Sequence, residues 1–351
     1  MSDAPEHPWD DPGFSYVSNA TPRELAGRLR AAESVLIVTH HKPDGDALGT
    51  SLALHRGLES IGVRSEIVIS GPIDPNLLAL TIPADRLERL ENLESLDERP
   101  EPSLIAVVDT GAWTQLESLG DWLRARTDRV IGIDHHARGG SVAGERIVDT
   151  SCASATQVLV PVLDALDVDL ATDRIAEALF LGLATDTGWF RFSSAGPEVY
   201  RLAARLMEAG ADKDAIYETV EQNASPSRFA MLARALGSLR FIDHGAVAVM
   251  TLGLADFADT GANLEELAGI VNEPLRIGSV RASILLTEAE SGRTKMSFRS
   301  KPPNESGSFI DVNELAARFG GGGHVHAAGA RVDADLDEAF RQLEGKLEGS
   351  D

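Results

Sequence analysis

Three stretches of the chain end an apolar, β-branched run in groups that can bind metal or move protons. Ser34 to Thr39 leads into His40-His41-Lys42-Pro43-Asp44-Gly45-Asp46, Leu104 to Val108 into Asp109-Thr110-Gly111, and Val130 to Ile133 into Asp134-His135-His136. A fourth group, Thr185-Asp186-Thr187-Gly188, closes an apolar helical stretch. Singly, an aspartate after a strand is most often a turn former or a helix N-cap. Independent caps have no reason to bring imidazoles and carboxylates to one edge of one sheet, so the joint occurrence points to a metal site. Carboxylates with a few imidazoles and no thiolate suit Mn²⁺ or Mg²⁺ better than structural Zn²⁺, and the imidazoles favour Mn²⁺. Several aspartates can hold two ions with one carboxylate bridging. Two ions about 3.5–4 Å apart activate a water and steady the leaving oxygen in phosphoester hydrolysis.

A second constellation lies near the C-terminus. Gly320-Gly321-Gly322-Gly323 runs into His324-Val325-His326. Consecutive glycines let the backbone approach a ligand and turn its N–H groups toward anionic oxygens. No Lys-Ser/Thr pair follows, so this is not a P-loop; the plain alternative is a flexible hairpin. Arg299 closes a strand-like run just upstream and could fork onto a phosphate, although an exposed surface arginine is the ordinary reading.

The elements that must position these groups alternate. Thr21-Pro22-Arg23-Glu24 reads as a capping box opening a helix to about Ala32. Strands are expected over 34–39, 65–69, 104–108 and 130–133, with helices over 48–61 and 112–126. Strands alternating with helices imply an α/β domain, a mostly parallel sheet with helices on both faces, and ligands beyond the carboxyl ends of its strands. After Thr150 helices dominate, over 155–166, 172–184, 198–209 and 213–222. Ala224-Ser225-Pro226-Ser227 reads as a break. The expected organisation is a loose tail over 1–20, a catalytic domain over 21–224, a connecting helix over 225–240 that could act as a hinge, and a smaller α/β substrate-binding domain over 241–351.

Composition excludes other classes. The 351 residues are 43% hydrophobic and 25% charged, as in a globular chain of about two domains. The single Cys152 excludes an intrachain disulfide or a multi-cysteine metal site. No apolar run reaches membrane-spanning length, and the acidic N-terminus lacks the features of a signal peptide, so a cytoplasmic protein without membrane contact is expected. The net charge is −23, and only five of the 32 basic residues are lysine. Abundant carboxylates with little lysine is the composition expected in concentrated salt. No basic stripe for long nucleic acid is visible.

The ordered motifs His40-x3-Asp44-x-Asp46, Asp109, Asp134-His135-His136 and Asp186 resemble those of the DHH phosphoesterase superfamily, and the glycine stretch ending in His324 resembles its DHH-associated domain. The similarity covers nearly the whole chain from residue 21 and is greatest to the NrnA-like branch, whose core resembles RecJ-like exonucleases. It implies that His40 and Asp44 hold one metal, that Asp46, His135 and Asp186 hold a second, and that Asp109 bridges them. His136 would contact the scissile phosphate and Asp134 would orient an imidazole. Arg299, Gly321, Gly322, Gly323 and His324 would bind the distal phosphate or nucleotide. His41, His7, His55, His244 and His326 receive no role.

The implied activity is hydrolysis of short oligonucleotides, and of 3′-phosphoadenosine 5′-phosphate, by water activated between two Mn²⁺ ions, with Mg²⁺ as the alternative. A long-strand exonuclease would need an extended basic or aromatic track, and aromatics are only 5% here. Cyclic or linear dinucleotides are a further substrate class. An inactive nucleotide-binding scaffold is the reading outside enzymes, which the filled ligand positions oppose. Oligomeric state stays open, a homodimer being one option.

Overall fold

The computed structural model describes residues 14–90, 96, 99–116, 119–304 and 307–348. They form two compact units, Met1–Asn223 and Ala224–Asp351. The chain is an α/β protein. In the first unit the strands are β1 Ser34–Val38, β2 Arg64–Ile69, β3 Leu87–Arg89, β4 Leu104–Val108, β5 Val130–Asp134 and β6 Glu145–Val148. They form one parallel sheet in the order β3-β2-β1-β4-β5-β6. Helices α1 Pro22–Ala31, α2 Gly45–Ser60, α3 Pro75–Leu78, α4 Gly120–Arg124, α5 Ala155–Ala165, α6 Ile175–Asp186, α7 Pro197–Glu208 and α8 Lys213–Glu221 complete this unit.

The central strands β1, β4 and β5 are buried on both faces because both are covered. Val35 and Ile37 face a core with Leu48, Leu52, Leu159 and Leu179 of α2, α5 and α6. Leu36 and Val38 face a second core with Leu116, Leu119 and Leu123. The capping box at Thr21 forms as expected: the Thr21 amide donates to Glu24 Oε2 at 2.7 Å and the Glu24 amide to Thr21 Oγ1 at 3.3 Å.

Two expectations change. The helix over 112–126 is instead a 3₁₀ turn, Trp113–Gln115, and the short α4. Its apolar spacing serves a short cover over the sheet and not one long helix. The tail expected to be loose over 1–20 is tied down within its described part, 14–20. The Asn19 amide donates to Arg146 O at 3.0 Å, and the Ser18 hydroxyl to Val148 O at 2.9 Å, along the edge strand β6.

The second unit has α9 Pro226–Gly237, α10 Leu254–Thr260, α11 Val312–Ala317 and α12 Leu336–Glu348. Its strands are β7 Arg240–Ile242, β8 Val247–Leu252, β9 Ala282–Glu290, β10 Arg293–Ser300, β11 Gly322–His324 and β12 Ala327–Val332. The sheet order is β11-β12-β10-β9-β8-β7, antiparallel except for the β8–β9 pair. Met231 and Ala235 of α9 pack with Met250, Leu252 and Leu285 on one face. Met296, Phe298, Leu315 and Leu343 fill the other. Among the described residues no helix is long and apolar enough to cross a membrane.

Candidate metal centre

The first sheet reverses its direction of growth between β1 and β4: β2 and β3 extend one way, β5 and β6 the other. A crevice beyond the carboxyl ends of the strands at such a switch is the usual ligand position. His40 follows β1, Asp109 follows β4, and Asp134-His135-His136 ends and follows β5. Asp109 adopts a left-handed backbone (φ 58°), which aspartate tolerates, and its amide donates to Ile133 O at 2.9 Å. Asp44 N-caps α2, accepting from the amides of Asp46 and Ala47 at 3.0 Å each.

Asp46 near the start of α2 and Asp186 at the end of α6 meet because the two helices touch through glycine. A Cβ on Gly49 would stand 2.4 Å from Ala178 O, and one on Gly182 would stand 2.5 Å from Asp46 Oδ1. A side chain at either place would push the helices, and their carboxylates, apart.

All the ligands expected from sequence converge. His40 Nε2 lies 3.9 Å from Asp44 Oδ1 and 3.5 Å from Asp109 Oδ2. His135 Nε2 lies 3.8 Å from Asp46 Oδ2, 3.5 Å from Asp109 Oδ1 and 3.4 Å from Asp186 Oδ2. His40, Asp44 and Asp109 make one group with ligand atoms within 4.8 Å of one another; Asp46, His135 and Asp186 make another. Asp109 also groups with His135 and His136, so it stands between the sets. His136 differs in that its Nδ1 lies 2.7 Å from Asp134 Oδ1, which leaves Nε2 on a half-exposed ring.

The electrostatics fit a cation. Asp109 Oδ1 is buried without a hydrogen-bond partner among the described residues, a costly state for a carboxylate oxygen. Asp46 is buried and accepts from the amides of Ala155 at 2.5 Å and Thr156 at 3.1 Å, at the N-terminus of α5. Burial and the charge of Asp109 nevertheless push its pKa well above the carboxylate range. Burial likewise raises Asp186 to about 6. Burial opposes charge on His40 and His135, yet their carboxylate neighbours prevail and raise them to about 10 and about 9. An acidic cluster that must otherwise retain protons is relieved by a divalent cation, and this donor set suits one.

Asp134 behaves differently. Despite burial, hydrogen bonds from His136 and Tyr16 hold its carboxyl below the usual range. Tyr16 donates to Asp134 Oδ2 at 2.6 Å and escaped the sequence reading, since nothing in its spacing marks it. The amide cradle under Asp46 was also missed. A signal existed in Ser154, whose hydroxyl caps α5 by accepting from the Gln157 amide at 3.1 Å. Of the unassigned histidines, His55 is buried against Ser65 at 2.8 Å, His41 and His244 are exposed, and His7 lies outside the described residues.

In the second unit Arg299 is half-buried, and no carboxylate pairs with it among the described residues; its Nη1 donates to Phe298 O at 2.8 Å. Register places Arg299, Ala327 and His324 in one row across β10, β12 and β11. The side chain of His324 lies outside the described residues. The glycines act otherwise than a free anion cradle would. Their amides at 320 and 321 donate to Ala317 O and Ala316 O at 3.0 Å, and that of Gly323 to Asn313 Oδ1 at 2.7 Å. A Cβ on Gly321 would stand 2.2 Å from Gly329 O, so glycine here lets the chain lie against β12.

The family description "DHH family, N-terminal domain" matches residues 34–183, and "DHHA1 domain" matches 244–349. The chain belongs to the DHH family of phosphoesterases. It is 31% identical over 327 residues to a Thermus thermophilus protein named bifunctional oligoribonuclease and PAP phosphatase NrnA, covering 92% of this chain and 91% of that one. The Bacillus subtilis protein of the same name is 26% identical over 91% of this chain and 96% of its own length. A solved exopolyphosphatase-related protein from Bacteroides fragilis superposes with a TM-score of 0.81 at 25% identity, covering 95% of this chain and 98% of that one.

Proposed function

We propose that this protein hydrolyses short oligonucleotides, and 3′-phosphoadenosine 5′-phosphate, with two divalent ions, manganese preferred. The observation that carries the two-ion reading is the place of Asp109. One carboxylate offers Oδ2 to the His40 group and a buried Oδ1, without a hydrogen-bond partner among the described residues, to the His135 group. The substrate class is supported by the names of the Thermus and Bacillus relatives, each similar over more than nine-tenths of this chain.

When bound, the ions supply charge stabilisation at phosphoryl oxygens and a water of lowered pKa. His40 and Asp44 hold the first; Asp46, His135 and Asp186 hold the second. The amides of α5 fix Asp46 so that its carboxylate needs no rearrangement to serve. The hydrogen bond to Asp134 raises the pKa of His136 and so favours its imidazolium form, whose Nδ1–H donates to Asp134 and whose Nε2–H donates to a non-bridging oxygen, a bond that strengthens as charge develops. Arg299 takes the distal phosphate, assisted by His324, which register places in the same row of the sheet.

The test is a panel assayed with Mn²⁺, with Mg²⁺ and with chelator, in low and high salt. It contains RNA and DNA dimers to pentamers, a long single strand, 3′-phosphoadenosine 5′-phosphate, a cyclic dinucleotide and pyrophosphate. Metal-dependent turnover greatest on the short oligonucleotides is expected. A preference for the long strand or for pyrophosphate overturns the substrate assignment, and turnover in chelator overturns the metal assignment.

A further inference from the structure

We propose that Tyr16 is a positioning residue for His136: its hydroxyl holds the second oxygen of Asp134 and thereby fixes the ring that addresses the substrate phosphate. This rests on the phosphate role given to His136 above.

The Asp134 carboxylate is fully buried, so both of its oxygens need donors from the protein. Oδ1 receives the amides of His135 at 2.8 Å and His136 at 3.2 Å, and the Nδ1 of His136 at 2.7 Å. Oδ2 has Tyr16 Oη at 2.6 Å as its partner among the described residues. Three donors crowd one oxygen and a single hydroxyl holds the other. Without that hydroxyl, Oδ2 becomes an unsatisfied buried acceptor, and the carboxylate can regain donors only by turning. Turning breaks the bond that sets the tilt of His136.

The seat of the tyrosine is built for it. A Cβ on Gly111 would stand 2.0 Å from Tyr16 Oη, and a Cβ on Gly139 would stand 2.5 Å from its ring. Gly111 lies two residues beyond Asp109 and Gly139 three beyond His136, so the ring packs against both loops that carry the centre. Those loops are tied together by the Gly140 amide donating to Gly111 O at 2.8 Å. Arg146 of the edge strand secures the approach. It donates to Ser15 O at 3.1 Å, and its guanidinium stacks 4.6 Å from the Phe14 ring centroid. Residues 14–20 thus act as a strap along β6 that delivers one hydroxyl to one carboxylate.

The experiment compares the full-length metal-loaded enzyme with Tyr16→Phe, His136→Ala and the double variant on a dinucleotide. Tyr16→Phe keeps the ring and removes only the hydroxyl. It is expected to lower kcat about 10-fold with KM and metal affinity unchanged. In the His136→Ala background the same change is expected to have no further effect, because the group it positions is gone. If Tyr16→Phe costs its full factor in both backgrounds, the hydroxyl does not act through His136 and the inference fails. It also fails, alone, if His136→Ala is impaired while Tyr16→Phe matches wild type. A His136→Ala enzyme with wild-type kcat instead overturns the phosphate role of His136, and this inference with it.

Discussion

His40 Nε2 stands 3.5 Å from Asp109 Oδ2, the carboxylate oxygen opposite the one that His135 faces. One side chain therefore serves two ligand groups, and only a carboxylate offers two equivalent acceptors. Asp109→Asn should lower kcat at least about 10³-fold, the scale of losing electrostatic stabilisation at the reacting phosphate. Titration calorimetry should show fewer bound ions. The same substitution removes a charge that raises Asp46, so in chelator the variant should melt above wild type. A folded Asn variant with near-native turnover would sink the bridging assignment.

On the proposed two-ion reading, protons and metal compete for this cluster. In the metal-free protein Asp186 is raised from 3.8 to about 6, His135 from 6.5 to about 9 and His40 from 6.5 to about 10. The folded state thus holds more protons than the unfolded chain, through Asp186 in the acidic window and through the imidazoles above it. Stability in chelator should fall as pH rises through both windows. Metal binding requires the deprotonated ligands, so the rise in Tm on adding Mn²⁺ should grow from pH 6 to pH 9. An increment independent of pH would show that the ligands do not give up protons on binding.

Legibility in the sequence followed the kind of information each feature needed. Strands β1, β4 and β5 were readable because burial on both faces makes them continuous apolar runs, and the ligands stood directly after them. Short strands such as β3 and β6 carry too few residues for a pattern and are defined by their neighbours. Asp46 and Asp186 were readable as chemistry, but their meeting depends on contacts at Gly49 and Gly182 between distant segments. Tyr16 was invisible for the same reason: 118 residues separate it from Asp134, and an acidic N-terminus reads as solvated chain. The glycine run was legible as glycine, but the partners of its amides at 320, 321 and 323, all within the second unit, depend on the tertiary fold.

Arg299 offers a half-buried guanidinium with no carboxylate to neutralise it among the described residues. Arg299→Ala should raise KM about 10- to 100-fold, the range of a lost charge-assisted bond, while Mn²⁺ affinity stays unchanged. Arg299→Lys should recover only part, since an ammonium cannot fork onto phosphate. Steady-state kinetics beside metal titration decides this. Equal losses in substrate and metal binding would instead make Arg299 a support of the whole fold.

The charge of −23 sets the last expectation. Ligand carboxylates account for only part of the acidic excess, and the remainder repels itself across a solvated surface. Ion pairs there are weak and oppose the trend: Arg201 with Glu198 and Lys213 with Asp214 are exposed pairs that salt screens at little cost. Repulsion among many like charges outweighs such pairs, so raising KCl from about 0.1 to 2 M should raise Tm steadily as the screening length shrinks below about 3 Å. Repeating the melt in sucrose of matched osmolality separates screening from general exclusion effects, since sucrose carries no charge. A Tm flat in KCl would mean that the acidic surface does not limit stability, and that the composition reflects something other than a saline setting.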